Sequence, residues 1–152
     1  ARLVFVGTTK NLILGAGIRL LPRGELHILR RIWNKLARKP STLIWDGAGD
    51  SETHHQWLAA QGVRSIAPVR RGWRKGKYRR KLATHFPQKT YGKRNHAETI
   101  CKLWKHQFGE ALKARKVRSR RAEIATCALA HNLWQRLRAA KNFVLYELCN
   151  TT

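Results

Sequence analysis

Apolar and polar residues recur along the chain with two different periods, and the switches between them mark out its elements. Residues 2–6 and 12–20 read as strands on either side of Thr8-Thr9-Lys10-Asn11, which predicts a hairpin. Beyond Pro22 the period changes. Leu26, Leu29, Ile32, Trp33 and Leu36 follow helical spacing, predicting a helix from about Arg23 to Arg38 that Pro40 stops. The run Thr42-Leu43-Ile44-Trp45 predicts a short buried strand ending directly at Asp46. Gly47-Ala48-Gly49 lets the chain turn, Ser51 stands where an N-cap would, and the helix so begun reaches about Ala60. Gln61-Gly62 ends it, and Val63 to Val69 reads as a further strand. A helix from about Arg94 to Leu112 follows, with Ala97, Cys101, Trp104, Phe108 and Ala111 as its apolar stripe. A last long helix, about 119–148, takes its apolar surface from Ile124, Leu129, Leu133, Trp134, Leu137, Phe143 and Leu145. The order is strand, strand, helix, strand, helix, strand, basic insert, helix, helix. That is an α/β chain without an internal repeat.

Size and charge narrow the function classes. With 152 residues the chain is one domain's worth, and 43% hydrophobic residues with six Trp predict a packed core rather than disorder. Lys and Arg number 32 against 8 Asp and Glu, a formal charge of +24 and a pI near 11.5. Such a field attracts polyanions, and nucleic acid is the expected partner. A membrane surface fits less well, because the cations are spread over several elements instead of one amphipathic helix. They are densest in a basic insert at about 70–93. There Arg70, Arg71, Arg74, Lys75, Lys77, Arg79, Arg80 and Lys81 accompany Trp73 and Tyr78. This predicts a mobile segment that grips a nucleic-acid backbone, cations on phosphates and the two aromatics stacking on bases.

No apolar run is long enough to span a bilayer, and Leu3 to Val6 is broken by Gly7, so the opening is no signal peptide. Cys101, Cys127 and Cys149 are odd in number and far apart, which predicts no disulfide framework. Cys127 and His131 stand four apart, a metal-ligand spacing, but no second pair accompanies them, so helix packing is the expectation. These features together predict a cytoplasmic protein. The chain contains no Met and opens almost inside a strand, so it is expected to be part of a longer protein.

The most informative spacing is Tyr91-x2-Arg94-x3-Glu98-x6-Lys105. At about 100° per residue, Arg94, Glu98 and Lys105 fall within roughly 40° on a helix, with the apolar stripe centred roughly 80° away. A lone carboxylate thus sits between two cations on one face. The second carboxylate of interest is Asp46, at the C-terminal end of a buried strand, where a sheet would hold it at the mouth of a cleft. Asp is also common as a turn or cap residue in such places.

The four residue types at three spacings resemble the signature around the last acidic residue of the DDE transposases of prokaryotic insertion sequences. Asp46-Gly47-Ala48-Gly49-Asp50-Ser51-Glu52 resembles that family's Asp-x-Gly-Tyr-Asp-Ser segment, with Ala48 in place of Gly and Gly49 in place of Tyr. The resemblance runs from the first hairpin to about residue 137. It implies a ribonuclease H-like mixed sheet flanked by helices, with the first strand missing, so that 1–152 is a partial catalytic domain. It also implies that Asp46 and Glu98 are catalytic and hold Mg2+ or Mn2+, two ions in the complete site. Hard cations take oxygen ligands, and such a pair stabilises attacking and leaving oxygens at phosphorus.

By the same resemblance Arg94 and Lys105 contact DNA phosphates or tune Glu98, and Tyr91 contacts the backbone or a base near the cleavage point. The partners implied are transposon ends and target DNA, with a homodimer in the synaptic complex, and the location implied is in association with the prokaryotic nucleoid. The family's first catalytic Asp lies upstream of Ala1, so the chain is expected to bind DNA but not to cut it alone. A non-enzymatic basic binder of ribosomal or RNA-packaging type accounts for the composition. It leaves the Tyr91 to Lys105 spacing and the strand-terminal Asp46 as coincidences.

Overall fold

A computed structural model describes residues 2–19, 25–70 and 75–150, apart from the side chains of Arg2, Leu3, Arg19, Glu25 and 141–150. The chain divides into two compact units, Ala1–Leu21 with His96–Thr152 and, between them in sequence, Pro22–Asn95.

The first unit is built on the expected hairpin. Strands β1 (Arg2–Gly7) and β2 (Ile13–Arg19) pair antiparallel, from Arg2 opposite Arg19 to Val6 opposite Gly15, with a bulge before Gly7 meets Ile13. The turn is closed by the Asn11 N–H donating to the Thr8 carbonyl at 3.0 Å, while Asn11 takes a φ of 57°. Asn tolerates that left-handed conformation better than most residues. Gly7 has a separate reason to be glycine, because a Cβ there would overlap the Ile100 side chain.

Helices α5 (Asn95–Phe108) and α6 (Val117–Asn150) complete the unit. Ile13, Ile18, Ile100, Trp104 and Ile124 form its buried core, with Phe5, Ala16, Phe108 and Cys127 packed against them. Trp104 meets Phe108 edge-on at 5.1 Å. The Asn132 side-chain amide holds Ile13 at both backbone groups, accepting its N–H and donating to its carbonyl at 2.8 Å each. His131, fully buried, donates from Nε2 to the Asn11 carbonyl at 2.9 Å and meets Gln107 Oε1 through Nδ1 at 2.9 Å. Both ring nitrogens are thereby occupied, so Cys127 and His131 are packing residues and not a metal pair.

Two expected faces are corrected here. On α5 the buried residues are Ile100 and Trp104, whereas Ala97 and Cys101 are exposed, and Ala111 lies beyond the helix. One β-branched Ile outweighs two small residues in area removed from water. The helix ends at Phe108, where Gly109 takes a φ of 84°. On α6, Ile124 is buried, but Leu129 (62%), Leu133 (54%), Trp134 (53%) and Leu137 (66%) are exposed. The face turned to β2 is instead Ile124, Cys127, Ala128, His131 and Asn132, in which two polar side chains satisfy the hairpin's backbone. Phe143 and Leu145 lie outside the described side chains.

The second unit carries helix α1 (Glu25–Trp33), strand β3 (Thr42–Ile44), helix α2 (Glu52–Ala59), strand β4 (Arg64–Ile66), and helices α3 (Lys77–Thr84) and α4 (Gln88–Tyr91). Strands β3 and β4 pair in parallel, Leu43 opposite Ser65, and the pairing extends through Trp45 N–H to the Ile66 carbonyl at 3.0 Å. A parallel pair needs a crossover, and α2 supplies it. Ile28, Leu29, Ile32, Trp33, Leu36, Leu58, Val63, Ile66 and Leu82 are buried. Trp33 donates its indole N–H to Gln61 Oε1 at 2.6 Å and meets Trp57 edge-on at 5.7 Å.

The expected helix over 23–38 is shorter than its periodicity suggests. After Trp33 the chain tightens into three-residue turns, Leu36 N–H to Trp33 carbonyl at 3.2 Å, which still bury Leu36. The strand expected over 63–69 is likewise confined to β4, since Pro68 has no N–H to offer a ladder. Pro22, expected to open the first helix, lies outside the described residues.

Candidate active site

Asp46 stands two residues beyond β3, exposed, at the head of a 3-10 turn over Gly47–Gly49. Its Oδ1 accepts the Ala48 N–H at 3.0 Å. The local capping role and the strand-end position therefore coexist. Gly49 is required by close packing, because a Cβ there would overlap the Trp45 ring, whose N–H is anchored on Ser65 Oγ at 3.0 Å. Thus the strand, the Trp45 anchor and the turn fix the backbone that carries Asp46.

Two acids that follow have structural tasks that the sequence did not reveal. Asp50, fully buried in its side chain, accepts from Arg79 Nε at 2.7 Å and Nη2 at 2.6 Å, and from the Arg70 N–H at 3.0 Å. Burial works against ionising this carboxyl. The Arg79 hydrogen bonds, the Arg70 N–H and the Arg79 charge outweigh it and hold the group below the usual carboxylate range. Glu52 caps α3 from a distance, its two oxygens accepting the Tyr78 and Arg79 N–H groups at 3.1 Å each. Burial opposes ionisation there too, and the backbone N–H donors prevail. Gly76, at the N-cap position of α3, has no side chain to do this itself. Its φ of 107° and the approach of the Glu52 carboxylate leave no room for a Cβ. Ser51 holds the expected N-cap position of α2, but its hydroxyl meets Thr53 Oγ1 at 2.9 Å instead of a backbone donor.

These contacts revise the basic insert. Arg71, Trp73 and Arg74 lie outside the described residues. From Lys77 onward the insert is the helix α3, not a mobile loop. Lys75, Lys77, Arg80 and Lys81 are exposed, Arg70 is exposed, and Tyr78 is half-buried. Arg79 is only 6% exposed and spends its guanidinium on Asp50, so it is a clamp and leaves the set of DNA-contacting cations.

The Tyr91 to Lys105 spacing is distributed over three elements. Tyr91 closes α4 and packs edge-on against Phe86 at 5.1 Å; Arg94, half-buried, closes a 3-10 turn over Gly92–Arg94; Glu98 and Lys105 lie on α5. Glu98 and Lys105 are both exposed. Their stripe lies roughly 130° round the helix from the buried Ile100 and Trp104, further from the core than the expected 80° or so. Lys105 Nζ donates to Glu110 Oε1 at 3.1 Å, both side chains largely exposed. Asp46 belongs to the second unit and Glu98 to the first.

Among the described acids, Asp50, Glu52, Glu110 with Lys105, and Glu123 hold structural contacts. The last accepts the Lys113 and Ala114 N–H groups at 2.8 and 2.9 Å. Asp46, which caps its 3-10 turn, and Glu98 are both exposed, and both offer the oxygen donors a hard divalent cation takes. Among the described residues no helix is long and apolar enough to cross a membrane. Cys101 and Cys127 are free thiols, and partial burial pushes up the pKa of Cys127.

Comparison with known proteins adds one finding. The family model described as "Transposase DDE domain" matches residues 4–133. No curated protein and no solved structure gives a significant match.

Proposed function

Starting from a chain that belongs to the DDE transposase domain family, we propose that Asp46 and Glu98 are two of its catalytic metal ligands. The family is one of nuclease-type enzymes acting on DNA. The finer reading is a fragment of a ribonuclease H-like catalytic domain for metal-dependent strand cleavage and strand transfer. The observation that carries it is the place of the two acids: Asp46, held at the strand end by its turn, and Glu98, on α5, are both exposed, on segments that resemble the family's motifs and within the residues that the family model matches.

Asp46 and Glu98 would hold Mg2+ or Mn2+. Bound there, the ions supply charge that stabilises the oxygens entering and leaving phosphorus. The chain's own residues do the rest. The Trp45 anchor and the 3-10 turn hold Asp46 at the strand end, and α5 holds Glu98 on a face turned away from the core of its unit. Arg94 and Lys105 hold DNA phosphates beside that face, and Tyr91 lies against the strand to be cut. On this reading the chain alone binds DNA without cutting it. Transposon ends and target DNA are the partners, held by a homodimer in the synaptic complex.

The test is calorimetric titration of Mg2+ and Mn2+ into the chain and into its Asp46→Ala and Glu98→Ala variants. Weak binding lost in each variant is the expected result. Equal binding in all three forms would sink the assignment.

A further inference from the structure

His55 is a buried side chain without an occupation. It is 1% exposed, and neither Nδ1 nor Nε2 has a hydrogen-bond partner. Burial and the nearby Arg79 charge lower its pKa, the Asp50 and Glu52 carboxylates only partly opposing, so the ring is neutral near pH 7. A buried polar group left unpaired loses its hydration and gains nothing in return.

His55 is among the residues that line a cavity of about 450 Å3 within the second unit. Beside the neutral Ser65 and Tyr78, the lining of this cavity carries cations. Arg64 comes from β4, Lys77 and Lys81 stand one turn apart on α3, and His85 follows the end of that helix. Tyr78 adds a phenol, Ala59, Val63 and Leu82 add apolar wall, and no lining residue is acidic. Arg64, Lys77, Lys81 and His85 are all exposed, so the charges of the first three are reachable from solvent. Lys ammonium and Arg guanidinium groups converging on a partly apolar cleft suit a phosphate carried on an organic body.

We propose that this cavity seats one nucleotide: its phosphate on Arg64, Lys77 and Lys81, its base or sugar against Tyr78 and the apolar wall. The source is either a free or terminal phosphate or a phosphate within a strand. The proposal rests on the DNA-binding part of the function proposed above and not on the metal chemistry at Asp46 and Glu98.

The experiment follows the His55 ring resonances by NMR in the full chain, with excess chelator so that no metal site contributes. Thymidine 5′-monophosphate, thymidine, and a thymidine tetranucleotide without terminal phosphate are titrated separately. A shift with the monophosphate and none with thymidine assigns the cavity to a free or terminal phosphate. A shift with the tetranucleotide alone assigns it to a strand. Either result supports the site, and a silent His55 with both phosphate-bearing probes overturns it. The Arg64→Ala/Lys81→Ala pair, whose residues are exposed, should weaken the responding probe at least tenfold. Lys102→Ala, an exposed cation of α5, should leave it within twofold. Equal weakening by both changes would mean attraction by net charge alone and would also overturn the proposal.

Discussion

Truncating Arg79 leaves the Asp50 carboxylate buried with one remaining backbone donor, the Arg70 N–H. Breaking a buried pair from one side exacts roughly 3–5 kcal/mol. Arg79→Ala should therefore lower the unfolding free energy of the second unit by about that amount in urea, read by tryptophan fluorescence. A loss below about 1 kcal/mol would place the pair among ordinary surface bridges. The sign with pH follows from the lowered pKa of Asp50. Its contribution is full above the unfolded-state value and is lost as pH falls through the folded one. Acid should thus weaken this unit below about pH 4, and Asp50→Asn should flatten that part of the profile. None of this was legible from composition. Eight cations in twelve residues read as one surface, and the burial of a single Arg depends on an acid 29 residues away. Asp46 was legible, because its position follows from where the apolar run Thr42 to Trp45 stops.

Helix α3 starts without a capping side chain of its own and borrows Glu52 from α2. Gly76→Ala would force a Cβ into that carboxylate and a side chain into a backbone region nearly reserved for glycine, a strain of about 1–3 kcal/mol. Amide exchange over Lys77–Thr84 should quicken in this variant while the β1–β2 hairpin keeps its protection. Unchanged exchange on α3 would mean that Glu52 is dispensable as a cap. At this scale the sequence reads well for the existence of elements and less well for their faces. The periods found both hairpin strands and placed α2, α5 and α6. They missed the rotation of α5 because Ala97 and Cys101 count as apolar while burying little area. They missed the packed face of α6 because His131 and Asn132 are polar, yet the hairpin's backbone groups are what they satisfy.

For the whole molecule, the charge of +24 is expected to govern the proposed hold on DNA more than any one contact does. Binding through about 6–10 phosphates should weaken by roughly 10³–10⁵ between about 50 and 200 mM salt. An affinity for duplex DNA that stays level across that range would contradict backbone gripping. The two-unit division was not legible, since the first unit is assembled from the chain's two ends.

That assembly has a consequence in time. Ile13 and Asn132, joined at both backbone groups, are 119 residues apart. At about 5–20 residues per second, synthesis separates them by roughly 6–24 s. During that interval the hairpin is already made, but the helix that covers Ile13 and Ile18 is not. The second unit, Pro22–Asn95, is by then complete and free to close its own core. The nascent chain therefore carries an uncovered apolar hairpin for seconds, the window in which a chaperone or a neighbouring nascent chain would meet it.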